Sequence, residues 1–450
     1  MNLKRRTKIV CTIGPASGSP SVIEGLIRAG MDVARLNFSH GTYEDHLGYI
    51  DAVRQASAKL NTPVAILQDL PGPKMRIGSF KEKTVRLKEG AEFTLTLRRT
   101  IGTEREVSAI VPNLPQSVKP GDTILLGDGE IELEVIGTTD TDVKCRVVSG
   151  GELGSHKGIS LPGISLDIPA VTEEDIKDLL FGLEQGVDFA ALSFIRDPGD
   201  VLKARKVLQE KGANVPLISK IEKREAWKNL DQILEVSDGL MVARGDLGLE
   251  IPIQKVPLAQ KEIIKKANHA GKPVITATQM LDSMVESPLP TRAEVTDVAN
   301  AIFDGTDAIM LSNETAIGRY PLKTVRMMAQ IAMETESALP YDKMLSDKGA
   351  DLEAQTDDAI SFAACHTAHQ LGAVAIVAFT TSGSTARRVS KYRPGVPILA
   401  RTSDAVVRRR ALLSWGVYPY EGTSLSTVDN LFDQAAELSR ETGIARKGDL

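Results

Sequence analysis

A lysine and two carboxylates stand where apolar runs end. Lys220 and Glu222 close the run Pro216–Glu222, and Asp246 closes Asp238–Asp246. Magnesium is usually held by one or two carboxylates together with water and substrate oxygens. Glu222 and Asp246 therefore form a candidate metal seat, with two solvated carboxylates as the alternative reading. Lys220 lies two residues before Glu222, so an extended strand turns both to one face. A lysine beside a metal and a phosphate neutralises charge on a transferring phosphoryl group; a structural ion pair is its alternative. Arg35, Arg76 and Lys157 are further cationic donors for phosphate, although each alone also reads as an ordinary surface charge. Gly245-Asp246 opens what reads as a short helix, whose first N–H groups attract anions such as a carboxylate. Thr278 and Ser312 bring hydroxyls to strand ends, where such groups often only satisfy backbone.

These residues need a scaffold that gathers strand ends. Apolar runs rich in Val and Ile recur at Thr7–Gly14, Met31–Ser39, Val64–Leu70, Val187–Phe194, Pro216–Glu222, Asp238–Asp246, Pro273–Met280 and Asp307–Glu314. Helical periodicity fills Pro20–Ala29, Tyr43–Leu60, Thr172–Gln185, Asp200–Lys211 and Val256–Ala270 between them. Continuous apolar strands alternating with helices predict a parallel sheet covered on both faces. Eight such units point to a (β/α)8 barrel, whose catalytic groups collect at the C-terminal strand ends; an open doubly wound sheet is the competitor. From Pro73 to Ile168 the period switches to two, as in Phe93-Thr94-Leu95-Thr96-Leu97 and Val143-Lys144-Cys145-Arg146-Val147. This predicts an inserted antiparallel β domain, a β-barrel lid over residues 73–168, between barrel segments 1–72 and 169–340. Residues 341–450 read as an open α/β domain, with a helix near Asp357–Leu371, strands at Val374–Phe379, Pro397–Ala400 and Val417–Tyr420, and the loop Thr380-Thr381-Ser382-Gly383-Ser384-Thr385. That loop follows a strand and opens a helix, so its hydroxyls and N–H groups form a candidate phosphate cradle, with a plain solvated turn as the alternative.

Composition narrows the class. The 450 residues are 42% hydrophobic and 25% charged with a net charge of -5, which excludes a disordered chain and gives no basic footprint for nucleic acid. No run approaches the length of a membrane span, and the apolar stretch after the basic N-terminus is too short for a signal-peptide core. Cys11, Cys145 and Cys365 lie far apart without metal-ligand spacing, as in a reducing compartment. A cytoplasmic protein is expected. The chain has no G-x-x-x-x-G-K-[ST] loop, no G-x-G-x-x-G fingerprint and no G-x-S-x-G elbow. His366 and His369 read as packing or solvated groups rather than ligands. The residues by themselves predict a magnesium-dependent barrel enzyme acting on a small phosphorylated carboxylate.

Six strings taken together resemble the pyruvate kinase family: Thr7–Ser17 (TKIVCTIGPAS), Arg35–Gly41 (RLNFSHG), Ile218–Glu222 (ISKIE), Met241–Pro252 (MVARGDLGLEIP), Ala277–Met284 (ATQMLDSM) and Thr291–Pro321. The resemblance runs from about residue 4 to the end and is weakest in the insertion. It implies phosphoryl transfer from phosphoenolpyruvate to ADP, giving pyruvate and ATP. It implies that Glu222 and Asp246 hold Mg2+ or Mn2+, and that Lys220 and Arg35 stabilise the phosphoryl group. The carboxylate would sit on Gly245, Asp246 and Thr278, and Thr278 with Ser312 would end a proton relay. Asn37, His40, Arg76 and Lys157 would position nucleotide phosphates, with Asp128 near the nucleotide-bound metal. A homotetramer with a sugar-monophosphate or nucleotide effector at Thr380–Thr385 follows from the same likeness.

Three departures refine that expectation. Asn313 stands where many relatives have glycine. The potassium-dependent relatives ring a monovalent cation with oxygens at positions matching Asn37, Ser39, Asp69 and Leu70. Here Leu70 and Lys74 replace their threonine and glutamate, so no potassium requirement is expected. The chain stops at Lys447-Gly448-Asp449-Leu450 where the family continues, so weak response to a sugar bisphosphate is expected. The rival readings are a metal-dependent pyruvate-enolate lyase or aldolase, and a catalytically dead sugar-phosphate-binding regulator.

Overall fold

All eight apolar runs anticipated as barrel strands form strands of a closed parallel barrel in the computed structural model, which describes residues 3–164, 166–350, 352, 354–422 and 428–450. They are β1 (Lys8–Thr12), β2 (Val33–Asn37), β3 (Ala65–Asp69), β4 (Phe189–Leu192), β5 (Leu217–Ile221), β6 (Gly239–Ala243), β7 (Val274–Ala277) and β8 (Ala308–Leu311). Each pairs with its neighbours in sequence, and β1 closes on β8 with Lys8 beside Ala308. Closure excludes the open doubly wound sheet. The strands are mostly apolar because both faces are buried. Val10, Val33, Leu67, Ile218 and Met310 pack inside the barrel, while Ile9, Cys11, Leu36 and Ile66 pack outward beneath the helices. Polar residues inside the strands are few, among them Arg35, Gln68, Ser219 and Thr276, and the others gather at the strand ends, where the candidate site is built.

Three of the barrel helices begin with a capping box, in which a threonine hydroxyl and a carboxylate three residues on satisfy each other's backbone N–H: Thr42 with Asp45, Thr172 with Asp175, and Thr291 with Glu294. Asp175 does more. Its Oδ2 accepts from the Thr172 N–H at 2.8 Å, and its Oδ1 accepts from the Gly72 N–H at 2.8 Å. Gly72, in the left-handed region at φ +67, is where the chain leaves β3 for the insertion. One carboxylate therefore ties the entry and the exit of the insertion to the barrel.

The insertion is a seven-stranded sheet with a separate two-stranded ribbon, Thr84–Leu87 with Gly151–Gly154. It departs from the antiparallel expectation at one pair. Glu92–Thr96 and Glu106–Ile110 run parallel, because the loop between them carries the chain back to its starting end. The sheet does not close by a regular ladder. A single antiparallel bridge, Arg76 to Gly158, joins its two edge strands.

The C-terminal region carries a three-stranded parallel sheet, Ile376–Phe379, Ile398–Thr402 and Val417–Glu421, flanked by helices Thr356–Gln370 and Ser384–Lys391. Its contact with the barrel's N-terminal end is ionic and buried. Arg393, 2% exposed, reaches Asp307 Oδ1 at 2.8 Å, Asn268 Oδ1 at 2.6 Å and the Gly305 carbonyl at 2.8 Å. Asp188 is held between Arg54 and Arg409 at 2.9 and 2.7 Å. Lys8 donates across the same junction to the Val417 carbonyl at 2.5 Å. The three cysteines are free and buried. Among the described residues, no helix is long and apolar enough to cross a membrane.

Removing one member of a buried ion pair leaves its partner uncompensated and typically costs about 3–5 kcal/mol. Arg393→Met should therefore lower stability by about that amount in urea unfolding followed at the C-terminal region. A loss below about 1 kcal/mol, the range of surface pairs, would contradict this account of the junction.

Candidate active site

The polar strand ends converge as a charge cluster centred on Asp69. Asp69 terminates β3, is 1% exposed, and lies beside Asn37 in the β2–β3 register. Its Oδ2 accepts from Arg35 Nε at 2.7 Å and its Oδ1 lies 3.2 Å from Lys220 Nζ. Lys220 is also 2.8 Å from Glu222 Oε1, as the shared strand face predicts. Burial alone would raise the Asp69 carboxyl, but Lys220 and Arg35 outweigh it and hold the group below its ordinary range. Burial likewise opposes the Lys220 ammonium, and Asp69 and Glu222 more than offset that, so it stays charged.

Asp246 differs from its neighbours. It sits in the first turn of the short helix Arg244–Glu250 and makes no hydrogen bond or ion pair among the described residues. Burial, then the Glu222 carboxylate, push it up to about 7. Glu222, 1% exposed, has Oε2 fixed by the Phe194 N–H at 2.8 Å. A pair of hard oxygen donors with an unmet demand for positive charge fits a divalent cation. Among the described residues no cluster of three or more His, Cys, Asp or Glu could hold a metal, and two carboxylates completed by water and substrate oxygens is the arrangement magnesium takes.

Ser39, Lys74, Arg76, Asp128, Glu222 and Asp246 line one cavity of about 190 Å3 between the barrel mouth and the insertion. His40 lies near it. Burial and the positive charges of Arg76, Arg35 and Lys74 hold its imidazole below the usual value. Lys157 leans on Glu130 at 3.6 Å. Leu70 is 1% exposed and belongs to the apolar core, so its side chain offers no oxygen. Lys74 is exposed and makes no ion pair among the described residues. In the C-terminal loop, Thr380 Oγ1 accepts from the Gly383 N–H at 2.9 Å and Ser382 Oγ donates to Ser384 Oγ at 3.0 Å, well formed for a turn.

At β7 the backbone is strained. Thr278 and Gln279 lie in the left-handed region at φ +67 and +54, which a β-branched residue enters at a cost of about 1–3 kcal/mol. The twist brings Thr278 Oγ1 to the Gly245 N–H at 2.8 Å. This departs from the sequence expectation, since the Gly245 amide is not an open anion donor but is engaged by the hydroxyl meant to share its ligand. Ser312 stands one strand further round, its N–H held by Glu314 Oε2 at 2.6 Å.

Sequence reasoning missed several supporting groups. Ser193, after β4, accepts from Lys220 Nζ at 2.7 Å and donates to the Leu70 carbonyl at 2.6 Å. Thr12 accepts from Arg35 Nη1 at 2.8 Å and donates to the Leu311 carbonyl at 2.8 Å. Glu314, 1% exposed, binds the Ser312 and Leu281 N–H groups. Lys223 pairs with Glu250 at the cavity wall. Each is a polar residue at or just after a strand end, the signal that flagged the others.

A closed (β/α)8 barrel with buried cations, acidic oxygens and an overhanging insertion at the strand C-termini defines a barrel phosphotransferase. Residues 4–325 match the family model described as pyruvate kinase, barrel domain, and residues 358–450 match that described as pyruvate kinase, alpha/beta domain. A pyruvate kinase from Clostridium acetobutylicum is 48% identical over 448 residues, covering 99% of this chain and 95% of that protein. One from Staphylococcus aureus strain MRSA252 is 49% identical, covering 99% and 77%. A crystal structure of a pyruvate kinase from Cryptosporidium parvum superposes with a TM-score of 0.94 at 38% identity, covering 99% of this chain and 93% of that one. The chain belongs to the pyruvate kinase family. It is a phosphotransferase that passes the phosphoryl group of phosphoenolpyruvate to ADP, and neither the lyase nor the inert regulator is supported.

The raised Asp246 carboxyl sets a pH dependence. Below about 7 a proton would occupy it and compete with a divalent cation bound there, so affinity should fall as pH drops and level off above neutrality. Calorimetric titration of Mn2+ should show close to a tenfold loss per pH unit on the acid side. Asp246→Asn should bind weakly with that slope removed. A pH-independent affinity in the parent would contradict the assignment.

Proposed function

We propose that the Asp69-centred cluster is the phosphoryl-transfer centre, the observation that carries this being two cations, a buried Arg35 and a partly buried Lys220, pinned beside the Glu222–Asp246 pair. A divalent cation, magnesium or manganese, on Glu222 and Asp246 supplies charge neutralisation where phosphoryl oxygens gather. Arg35 and Lys220 lie against the phosphoryl group as it passes from the enol oxygen to the ADP phosphate, and positioning with charge stabilisation is what such a transfer requires. The substrate carboxylate seats on the Gly245 and Asp246 N–H groups and Thr278. For this, the Gly245 N–H exchanges its bond to Thr278 Oγ1 for one to the substrate, freeing the hydroxyl. The enolpyruvate left behind takes a proton at its methylene carbon from a relay ending at Thr278 and Ser312. Asn37, His40, Arg76 and Lys157 position the nucleotide phosphates, and Asp128 approaches from the insertion, which acts as a lid moving about the Gly72 hinge.

The same reading divides the chain into a barrel of residues 1–72 and 169–340, a lid of residues 73–168 and an α/β regulatory domain of residues 341–450. A sugar monophosphate or nucleotide binds at Thr380–Thr385, supported by the turn that Thr380 and Gly383 form. Activation by a sugar bisphosphate and not by a monophosphate would contradict that assignment. The enzyme works in the cytoplasm as a homotetramer; sedimentation at the mass of one chain would contradict the assembly.

Potassium is not required. The region of Asn37, Ser39, Asp69 and Leu70 presents an apolar Leu70 in place of a hydroxyl, and the Lys74 ammonium lines the cavity that Ser39 of this region also lines. A tethered ammonium matches potassium in charge and stands in for it near the phosphoryl group. Turnover in potassium-free, ammonium-free buffer, held at constant ionic strength with a tetramethylammonium salt, should match that with potassium within about twofold, and Lys74→Glu should create a dependence. Activation of the parent by potassium of about tenfold, equivalent to ~1.4 kcal/mol in the barrier, would contradict the reading.

A further inference from the structure

Lys223 directly follows Glu222 in the chain, and Glu250 closes the short helix Arg244–Glu250, one turn beyond Asp246. The Lys223 ammonium is bonded to Glu250 Oε1, and the two side chains are only 12% and 5% exposed. One ion pair, largely shielded from water, therefore joins the two chain segments that carry Glu222 and Asp246. Asp246 itself makes no hydrogen bond or ion pair among the described residues. The helix that carries it is thus fixed to the end of β5 by Glu250 rather than by the carboxylate at its start.

Lys223 has a second contact. Its ammonium stands 5.6 Å from the centre of the Phe194 ring, within the range at which a cation is attracted to an aromatic face. Phe194 is held in the left-handed region at φ +57, where a bulky residue stays only if its surroundings constrain it. In that conformation its N–H donates to Glu222 Oε2 at 2.8 Å. Lys223 therefore touches both the residue that aims Glu222 and a residue on the helix that presents Asp246.

The same pair also meets the insertion at its two roots. The Phe194 ring packs so closely on Gly72 that a Cβ there would lie 2.8 Å from its Cδ2. Glu250 takes a hydrogen bond from the Gly163 backbone, on the segment by which the chain returns to the barrel. A pair placed only to add stability would need none of these connections.

We propose that Lys223 is a positioning residue which, through Glu250 and the Phe194 ring, sets the separation and aim of Glu222 and Asp246 for a small divalent cation. This rests on the reading of those two carboxylates as the metal seat. Charge and geometry make opposite demands here. Removing a lysine near a bound cation removes a repulsion, so charge alone predicts tighter binding. Loss of positioning predicts weaker binding. Magnesium demands near-octahedral geometry whereas calcium accepts irregular coordination, so the loss falls mainly on magnesium.

Calorimetric titration of the metal-free full chain with Mg2+ and with Ca2+ tests it. Lys223→Met should weaken Mg2+ binding about tenfold and Ca2+ binding by no more than about threefold. Lys223→Arg, which keeps the ion pair, should hold both within about threefold of the parent. Lys223→Met combined with Glu250→Gln leaves no unmatched buried charge, and should lose Mg2+ affinity by about as much as Lys223→Met alone. That double variant decides the matter if the single one does not fold. Occupancy and pairing stabilise one another, so saturating Mg2+ should also slow acetylation of Lys223 in the parent by about threefold or more. Lys206, whose side chain is 78% exposed, should react at an unchanged rate. Mg2+ binding that is unchanged or tighter without Lys223, an equal loss for the two ions, or Lys223 unprotected by Mg2+ would each overturn the proposal alone. Mg2+ binding by Asp246→Asn equal to that of the parent would overturn the metal seat, and the proposal with it.

Discussion

Asp69 is the residue on which the site depends. A carboxylate buried at a strand end is costly to ionise unless cations compensate it, and here Arg35 from the adjoining β2 and Lys220 from β5, one strand further round on the other side, bind its two oxygens. The dependence is mutual. The Lys220 ammonium keeps its charge against burial because Asp69 and Glu222 together offset the cost, and the Arg35 guanidinium is held in place by the Asp69 carboxylate. The result is a pair of cations fixed in place before any substrate arrives, which is the preorganisation that makes electrostatic stabilisation effective. Ser193 and Thr12 then set the direction of each donor and in turn bond to backbone carbonyls, so the orientation is carried into the barrel wall.

The rest of the fold serves this arrangement. Strands buried on both faces hold few polar side chains away from their ends, so the topology concentrates chemistry at one rim. Strain is placed at the same rim. Phe194 and Thr278, both in the left-handed region, follow β4 and β7 and aim the Phe194 N–H at Glu222 and the Thr278 hydroxyl at Gly245. The insertion is tethered at its root by Asp175, and its tip at Gly129 comes against Leu249, three residues beyond Asp246, so the insertion and the helix that carries Asp246 share a contact.

Much of this was legible in the amino-acid sequence, and the limits were physical. Barrel strands announce themselves because double burial forces continuous apolar runs, and helix Pro20–Ala29 was read with its observed bounds. Lys220 and Glu222 were paired correctly because strand periodicity fixes which side chains share a face. The parallel pair in the insertion was not legible, since period-two alternation records burial and not strand direction. Nor was the engagement of the Gly245 amide, which depends on a left-handed Thr278 that nothing in its neighbours required. Ser193 escaped notice because a lone serine at a strand end usually satisfies backbone, and this one does so while also holding Lys220. The junction with the C-terminal region was beyond reach, because Arg393, Asp307 and Asn268 are far apart in sequence and carry no motif.

The most direct test of the central claim is single-turnover phosphoryl transfer by Asp69→Asn, an isosteric change that removes the charge and keeps the side-chain volume. If the buried carboxylate holds Arg35 and Lys220 in place, the rate should fall by about 10²-fold or more while circular dichroism shows the fold intact. A rate within about threefold of the parent would mean that the two cations keep their positions without Asp69, and would contradict the account.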